Sequence, residues 1–290
     1  MRTSVTSRWF QTGNGLMLAL LAFTTVFPLL NVLAASLSSS RAISSGEVFL
    51  WPVEFTLAAY KTLINDGQLF VAMKNSVIIL LMGTMLNMMA TIAAAYPLSR
   101  KRLTARTPLL MMVTFTMLFS GGIIPNFILI KSLGLMNSYW ALWIPGLIST
   151  YNMFVMKTFF EGLPVEMEES AAIDGANDLV ILWQIILRVS MPIIASLALF
   201  YAVSWWNSYF NVLIYITQSD KLSLSVKLLQ MIQTTSTNLL DGSSNSDMEV
   251  VTPEGIRASA IIISIAPILC VYPFLQKYFV KGVLIGSVKG

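Results

Sequence analysis

Long apolar stretches without an acidic or basic residue alternate along the chain with short polar segments. Each stretch comes close to or exceeds the roughly 20 residues that a helix needs to cross the hydrocarbon core of a bilayer. The first is too long for the apolar core of a signal peptide and is predicted to be retained. The pattern therefore predicts an all-α polytopic membrane protein with six transmembrane helices, at residues 15–37, 75–99, 107–130, 138–156, 192–217 and 258–276.

Two of the predicted spans contain residues that weaken a helix. The third contains Gly121, Gly122 and Pro125, and the fourth contains Pro145 and Gly146. A membrane tolerates such interruptions only where neighbouring helices or a cavity satisfy the freed backbone groups. We therefore expect kinked helices that border other protein segments.

Composition supports the membrane assignment. Of 290 residues, 56% are hydrophobic and 11% are charged, whereas a soluble domain has about 25% charged residues. The sequence has one cysteine, Cys270, so no intrachain disulfide can form, and it has no histidine. Histidine is the commonest metal ligand and proton shuttle, and neither a metal site nor a catalytic residue is predicted.

The distribution of basic residues predicts the orientation. Six spans place both termini on one side, and that side holds most of the 18 Lys and Arg residues, with the densest cluster at residues 100–106. Because short cytoplasmic loops are enriched in Lys and Arg, both termini are predicted to be cytoplasmic in a multi-pass protein of the cell membrane.

One polar segment, residues 163–192, is rich in acids. A Pro at the first position and acids in the first turn favour a helix that begins at Pro164. Asp174 and Gly175 would end this helix, and Asn177 would cap a second one. The segment therefore predicts a cytoplasmic helix-turn-helix, whose second helix runs through Leu179, Leu182, Trp183, Ile186 and Leu187.

The same segment resembles the EAA loop of permease subunits of bacterial ATP-binding-cassette (ABC) importers. Glu169-Ser170-Ala171, three further residues and Gly175 match the first half of that pattern, and residues 185–188 stand at its end. Ser170 replaces the first Ala, and Arg188 replaces the usual Pro. The wording EESAAIDGAN, residues 121–146 and the ending from Tyr272 resemble the carbohydrate-uptake, maltose-type branch.

The resemblance implies a type I permease fold and a division of the chain. Residues 1–71 would be an N-terminal transmembrane helix and outer loop, residues 72–281 the core domain with the EAA loop at 161–192, and residues 282–290 a cytoplasmic tail. It also implies that the loop docks into a cleft of an ATPase. The residues assigned to this coupling are Glu168, Glu169, Ser170, Ala171, Ala172, Asp174 and Gly175.

The implied partners are a second homologous permease, two ATP-binding subunits, an extracytoplasmic solute-binding protein and a saccharide, with no nucleic acid. ATP and Mg²⁺ would bind the ATPase subunits, and this chain would hold no cofactor. The basic tail, with Lys277, Lys281 and Lys289, would contact the ATPase or only anchor the chain. The polar loop 218–255 would touch the binding protein or be a plain connection.

Two rival functions follow from the residues themselves. An ion-coupled secondary carrier usually keeps ionisable groups inside the membrane, and the six predicted spans have none. A membrane-embedded enzyme would need clustered acids or histidine, and the one acidic cluster lacks metal-like spacing. The chain also has no phosphate-binding G-x-x-x-x-G-K-[ST] motif, so an ATP-driven importer would need a separate ATPase.

Aromatic and amide residues concentrate in the fifth span. They are predicted either to line a path for the sugar or to pack the helices, with Asn as an interhelical hydrogen-bonding group. The residues concerned are Trp205, Trp206, Asn207, Tyr209, Asn211 and Asn152, with Asn87 and Asn126 as weaker candidates.

Overall fold

A computed structural model describes residues 5–65, 67–240 and 251–287, and all regular elements in these ranges are helical. The helices are α1 (Val5–Ser36), α2 (Ser40–Ser44), α3 (Ala58–Asn65), α4 (Gln68–Ser99), α5 (Arg106–Leu118), α6 (Ile123–Ser132), α7 (Trp140–Trp143), α8 (Thr150–Glu161), α9 (Glu166–Ile173), α10 (Asp178–Ile181), α11 (Leu187–Val189), α12 (Met191–Trp206), α13 (Phe210–Tyr215), α14 (Leu224–Leu240) and α15 (Pro253–Ser287). A π-helical turn, Leu182–Ile186, joins α10 to α11, and a 3-10 turn, Ser219–Lys221, precedes α14.

Three described helical segments are long and apolar enough to cross a membrane: Phe10–Ser36, Gln68–Ser99 and Pro253–Cys270. Two further spans are possible if each of two bent helix pairs counts as one, which gives up to five in the described part of the chain. The all-α membrane fold is confirmed, whereas the count of six spans stays a prediction.

The predicted third span is broken where its glycines lie. Helices α5 and α6 meet at 112°, and Gly122 between them has φ +82°. Gly adopts this backbone conformation without the strain that a Cβ would introduce. The expected interruption is therefore confirmed.

The predicted fourth and fifth spans also differ from straight helices. Around Pro145, the chain leaves α7 and starts again at α8, so residues 138–156 do not form one helix. Helix α12 stops at Trp206, and three residues separate it from α13, which begins at Phe210. The segment Asp178–Val189 meets α12 at 83°, so the second half of the acidic segment bends directly into the fifth predicted span.

The described residues fall into two compact units. One combines the chain up to Leu69 with residues 228–269, and the other combines residues 70–227 with the chain from Cys270 onward. In the first unit, Ser36 joins distant segments. Its hydroxyl accepts a hydrogen bond from Tyr60 Oη at 2.8 Å, and its carbonyl accepts one from Ser259 Oγ at 3.3 Å.

The residues described in the second unit form two hydrophobic cores, and both contain residues of α4. The first lies between α4, α8, α12 and the helices of the acidic segment; its buried residues include Ala95, Met156, Phe160, Ala171, Ile181, Ile186 and Leu197. The second packs α4 against α6, α7 and α13; its buried residues include Ile79, Ile130, Leu142, Trp143 and Val212.

The predicted tail and the predicted polar loop 218–255 are described by the structure only in part. Residues 277–287, which include Lys277 and Lys281 of the predicted basic tail, continue α15. Lys289 and the polar segment 241–247 lie outside the described residues. The contacts predicted for the tail and for the polar loop 218–255 stay predictions.

Candidate functional site

The acidic segment forms the predicted helix-turn-helix. Helix α9 ends at Ile173, and the N–H groups of Gly175 and Ala176 donate to the carbonyls of Ala172 and Ala171, both at 3.0 Å. This pair of bonds is the Schellman arrangement that closes a helix with a left-handed residue, and Gly175 has φ +84°. Asn177 Oδ1 accepts from Val180 N at 2.9 Å and caps α10.

One local prediction was displaced. Helix α9 begins at Glu166, so Pro164 lies two residues before it rather than at its first position. Differences of this size are usual at helix ends. Glu166 and Glu168 keep their predicted place in the first turn, at the positive end of the helix dipole, and Glu169 joins them there.

One face of the helix-turn-helix is part of the protein core. Ala171 of α9 and Ile181 of α10 are buried at 9% and 3% exposure, and Ile186 is fully buried. They belong to the core that contains Phe160 of α8 and Leu197 of α12. The segment is therefore a packed element rather than a loose connection.

The opposite face exposes large apolar side chains. Ile173 is 86% exposed, Leu179 68% and Trp183 66%. The sequence predicts Leu179, Leu182, Trp183 and Ile186 along the second helix. Of these four, the fold buries only Leu182 and Ile186. Ile173 was missed, although an Ile beside the Asp174-Gly175 turn was a usable signal.

The assigned coupling residues divide between these two faces. Glu169, Ser170, Ala172, Asp174 and Gly175 are exposed. Ala171 is buried, and Glu168 is directed to an arginine of the neighbouring connection. The coupling roles themselves stay predictions.

The basic cluster that follows α4 binds the acidic segment. Arg100 pairs with Glu168 of α9, and Arg102 pairs with Asp178, the first residue of α10. Arg106, at the start of α5, pairs with Glu161 at the end of α8. The residues that predicted the orientation thus also connect the α4–α5 segment to three helices, an arrangement that charge counting did not anticipate.

The ion pairs of this region shift the pKa values of Glu161 and Arg102. Burial acts to raise the pKa of Glu161, but hydrogen bonds and charge from Lys157 (Nζ to Oε1, 2.8 Å) and Arg106 outweigh it and hold that pKa below 4.5. The hydrogen bond to Asp178 raises the pKa of the Arg102 guanidinium. At neutral pH both groups are charged.

A cavity of about 450 Å³ lies in the second unit. Five of the six predicted pathway residues line it, namely Asn152, Trp205, Asn207, Tyr209 and Asn211, together with the weaker candidate Asn87. The described lining does not include Trp206 or Asn126, and none of it is Asp, Glu, Lys or Arg. Besides amides it contains the hydroxyls of Ser149, Ser204, Ser208 and Tyr201 and the rings of Phe200 and Phe210.

The interrupted backbone beside the cavity is hydrogen-bonded by side chains. Asn87 of α4 donates to the carbonyls of Gly146 and Leu147 at 2.5 and 2.9 Å. Tyr201 Oη accepts from Ser149 N at 3.1 Å and lies 2.7 Å from Thr91 Oγ1. Polar groups from α4 and α12 thus meet the requirement that broken helices in a membrane have internal partners.

Trp205 is fixed by close packing. Its ring lies so near Gly83 of α4 that a Cβ at that glycine would come within 2.5 Å of the ring. Its Nε1 donates to Asn87 Oδ1 at 2.6 Å. Trp205 therefore packs α12 against α4 and also borders the cavity, and its place in a sugar path stays a prediction.

In the part of the chain that the structure describes, no group of three or more His, Cys, Asp or Glu residues is arranged to hold a metal ion.

Comparison with known proteins agrees with this architecture. Residues 87–285 match the family described as binding-protein-dependent transport system inner membrane component. Protein LplC of Bacillus subtilis (strain 168) is 41% identical over 100% of this chain and 98% of its own length. The polygalacturonan/rhamnogalacturonan transport system permease protein YtcP of the same organism is also 41% identical, over 94% and 96%.

A solved structure shows the same fold. It is the crystal structure of a bacterial ABC transporter involved in the import of the acidic polysaccharide alginate. One chain of that structure superposes on this protein with a TM-score of 0.86 and is 30% identical in sequence. The match covers 96% of this chain and 99% of that one. The resemblance that the acidic segment suggested is thereby confirmed for the whole chain, including the type I permease fold. The chain belongs to the inner-membrane components of binding-protein-dependent transport systems, and it is a permease subunit of an ABC importer rather than an enzyme.

Proposed function

We propose that this permease subunit forms half of a membrane path for an oligosaccharide derived from a complex polysaccharide. The observation that carries the proposal is the cavity, where amides, hydroxyls and aromatic rings from α4, α8, α12 and the α12–α13 break converge. Sugars present hydroxyl groups and apolar ring faces, and polar groups placed within an otherwise apolar pocket give such a site its specificity. The polysaccharides in the names of YtcP and of the alginate transporter support the same substrate class.

The energy for transport would come from a separate ATPase that holds the helix-turn-helix. Ile173, Leu179 and Trp183 are exposed next to Glu169 and Asp174. Apolar anchors surrounded by polar residues are the usual composition of a protein interface. ATP and Mg²⁺ would bind that partner, and its closure would shift the permease between two packings of the same helices.

The complete importer would contain this chain, a second homologous permease, two ATP-binding subunits and an extracytoplasmic solute-binding protein. Both termini would face the cytoplasm, as would the helix-turn-helix. Arg100, Arg102 and Arg106 support this orientation, because basic residues prefer cytoplasmic loops and these three pair with the acidic segment and its neighbouring helix α8.

The test is uptake by the importer assembled from this chain and the transport proteins encoded beside it. Proteoliposomes would be supplied with uncharged oligosaccharides and with oligosaccharides of uronic acids, each presented with the binding protein. ATP-dependent uptake of at least one class is expected. The variants Asn152→Ala and Asn211→Ala should raise the apparent KM, and Asn126→Ala, at an exposed amide outside the cavity lining, is the matched control.

Two results would refute the proposal. One is uptake that persists without ATP and collapses with an ion gradient. The other is an importer that transports only compounds other than saccharides.

A further inference from the structure

The three arginine pairs of the α4–α5 connection differ in their exposure to solvent. The side chains of Arg102 and Asp178 are 64% and 60% exposed, whereas those of Arg100 and Glu168 are only 14% and 16% exposed. An exposed ion pair contributes little and its side chains stay mobile. A buried pair has a defined geometry, and removing one partner leaves an uncompensated charge.

Additional contacts fix the guanidinium of Arg100. Its Nη1 donates to the carbonyl of Phe160 at 3.1 Å, and its Cζ lies 4.8 Å from the centre of the Tyr96 ring. Tyr96 in turn packs edge-to-face on Phe160, with ring centroids 6.2 Å apart. The end of α4 is thus joined to α8 and, through Glu168, to α9.

Helix α4 also reaches the cavity. Asn87 lies in α4, about 18 Å before Ser99, the last residue of the helix, at about 1.5 Å per residue, and Arg100 follows directly. Asn87 holds Trp205 and the backbone break before α8. Helix α4 therefore connects to α9 at one end, through Arg100, and to the cavity lining near its middle, through Asn87.

We propose that Arg100 and Glu168 are positioning residues that transmit the movement of the ATPase-docked helix α9 to α4 and so to the cavity. The inference rests on the ATPase docking of the proposed function. A movement of α9 displaces Glu168. Because the pair of Glu168 with Arg100 is buried and is supported by Tyr96 and Phe160, α4 moves together with α9. Arg102 and Asp178 are too exposed to transmit force in this way.

The experiment compares the two pairs in the assembled importer. Arg100→Gln, Glu168→Gln and the exchange Arg100→Glu with Glu168→Arg are set against the matched controls Arg102→Gln and Asp178→Asn. The measurements are co-purification of the ATPase, the stimulation of ATP hydrolysis by substrate-loaded binding protein, and substrate molecules imported per ATP hydrolysed.

For the single variants at the buried pair, we expect the ATPase to remain bound while import per ATP falls about 2- to 30-fold, the range for mutations within a coupled network. The exchange should restore part of the loss, and the controls should match the wild type. Wild-type import per ATP in Arg100→Gln, or an equal loss in the controls, would overturn the inference. If Arg100→Gln fails to assemble, Arg100→Lys takes its place, because it keeps the charge but loses the planar fork. Import per ATP hydrolysed is then compared between Arg100→Lys and the wild type.

The failure of this inference can be told apart from the failure of the proposed function. Stimulation of ATP hydrolysis and import per ATP can be followed with whatever compound the importer carries. A wild-type importer that carries no saccharide refutes the proposed substrate class and still allows the buried pair to be tested.

Discussion

The Trp205 indole donates a hydrogen bond of 2.6 Å to the Asn87 side-chain oxygen, across the contact between α12 and α4. The same amide uses its nitrogen to bind the carbonyls of Gly146 and Leu147. One buried asparagine, 2% exposed, therefore joins three segments that border the cavity. The position and tilt of the Trp205 ring follow from this network and not from its own helix alone.

Replacing Asn87 with leucine is expected to destabilise the protein. The change leaves the Trp205 N–H and two carbonyls without this partner, and an unsatisfied buried polar group costs about 1–3 kcal/mol. Thermal unfolding of the purified subunit in detergent would measure the loss. Asn126→Leu, at an exposed amide, should stay within about 0.5 kcal/mol of the wild type, and equal stability of both variants would contradict the prediction.

Gly83→Ala should displace Trp205. The added Cβ would lie 2.5–2.8 Å from three atoms of the indole ring, which is stiff and anchored by Asn87. Overpacking of this kind typically costs about 1–3 kcal/mol. The unfolding midpoint should fall and the apparent KM for substrate should change, whereas Gly15→Ala, with no neighbouring atom within 4 Å, should show neither effect.

Gly175→Val is expected to uncouple transport. Nothing lies within 4 Å of a Cβ at this position, so the effect comes from the backbone. A left-handed residue other than glycine costs about 1–2 kcal/mol, and β-branched side chains tolerate it worst. Uptake should fall sharply in Gly175→Val and much less in Gly175→Asn, since Asn adopts this conformation more readily. Normal uptake with normal ATPase stimulation in the valine variant would contradict the assigned role.

The Glu161 carboxylate makes stability depend on pH. Its pKa in the folded protein is held below the ordinary value of 4.5 by Lys157 and Arg106. A lowered pKa means that this stabilisation is complete above about pH 4.5 and is lost as the pH falls through the lower folded value. The unfolding midpoint in detergent should therefore drop as the pH falls below the ordinary pKa of a glutamate, 4.5.

The Glu161→Gln variant separates this contribution from other acids. It should be less stable than the wild type at neutral pH and should lose less on acidification, because its partners no longer face a titrating carboxylate. Glu166→Gln, at an exposed position of the neighbouring helix, should keep the wild-type profile. A wild-type profile in Glu161→Gln would show that the pairs with Lys157 and Arg106 do not contribute.

The sequence alone determined the membrane class, because apolar stretches of spanning length are a local property of the chain. It also determined the helix-turn-helix, since Asn177 as a cap and Gly175 as a left-handed stop act through bonds to residues a few positions away. The break near Gly122 was predictable for the same reason.

Only the tertiary structure decided which side chains meet across the chain. The partners in these contacts are far apart in sequence: Arg100 with Glu168, Trp205 with Asn87, and the residues around the cavity. Their contacts depend on how α4 packs against α8, α9 and α12. Helical periodicity could not tell that Leu179 and Trp183 are exposed while Leu182 and Ile186 are buried, because burial depends on which side of the helix packs against α8 and α12. Local bonding rules fix the helix ends and turns, whereas burial depends on packing between distant segments, which no local pattern specifies.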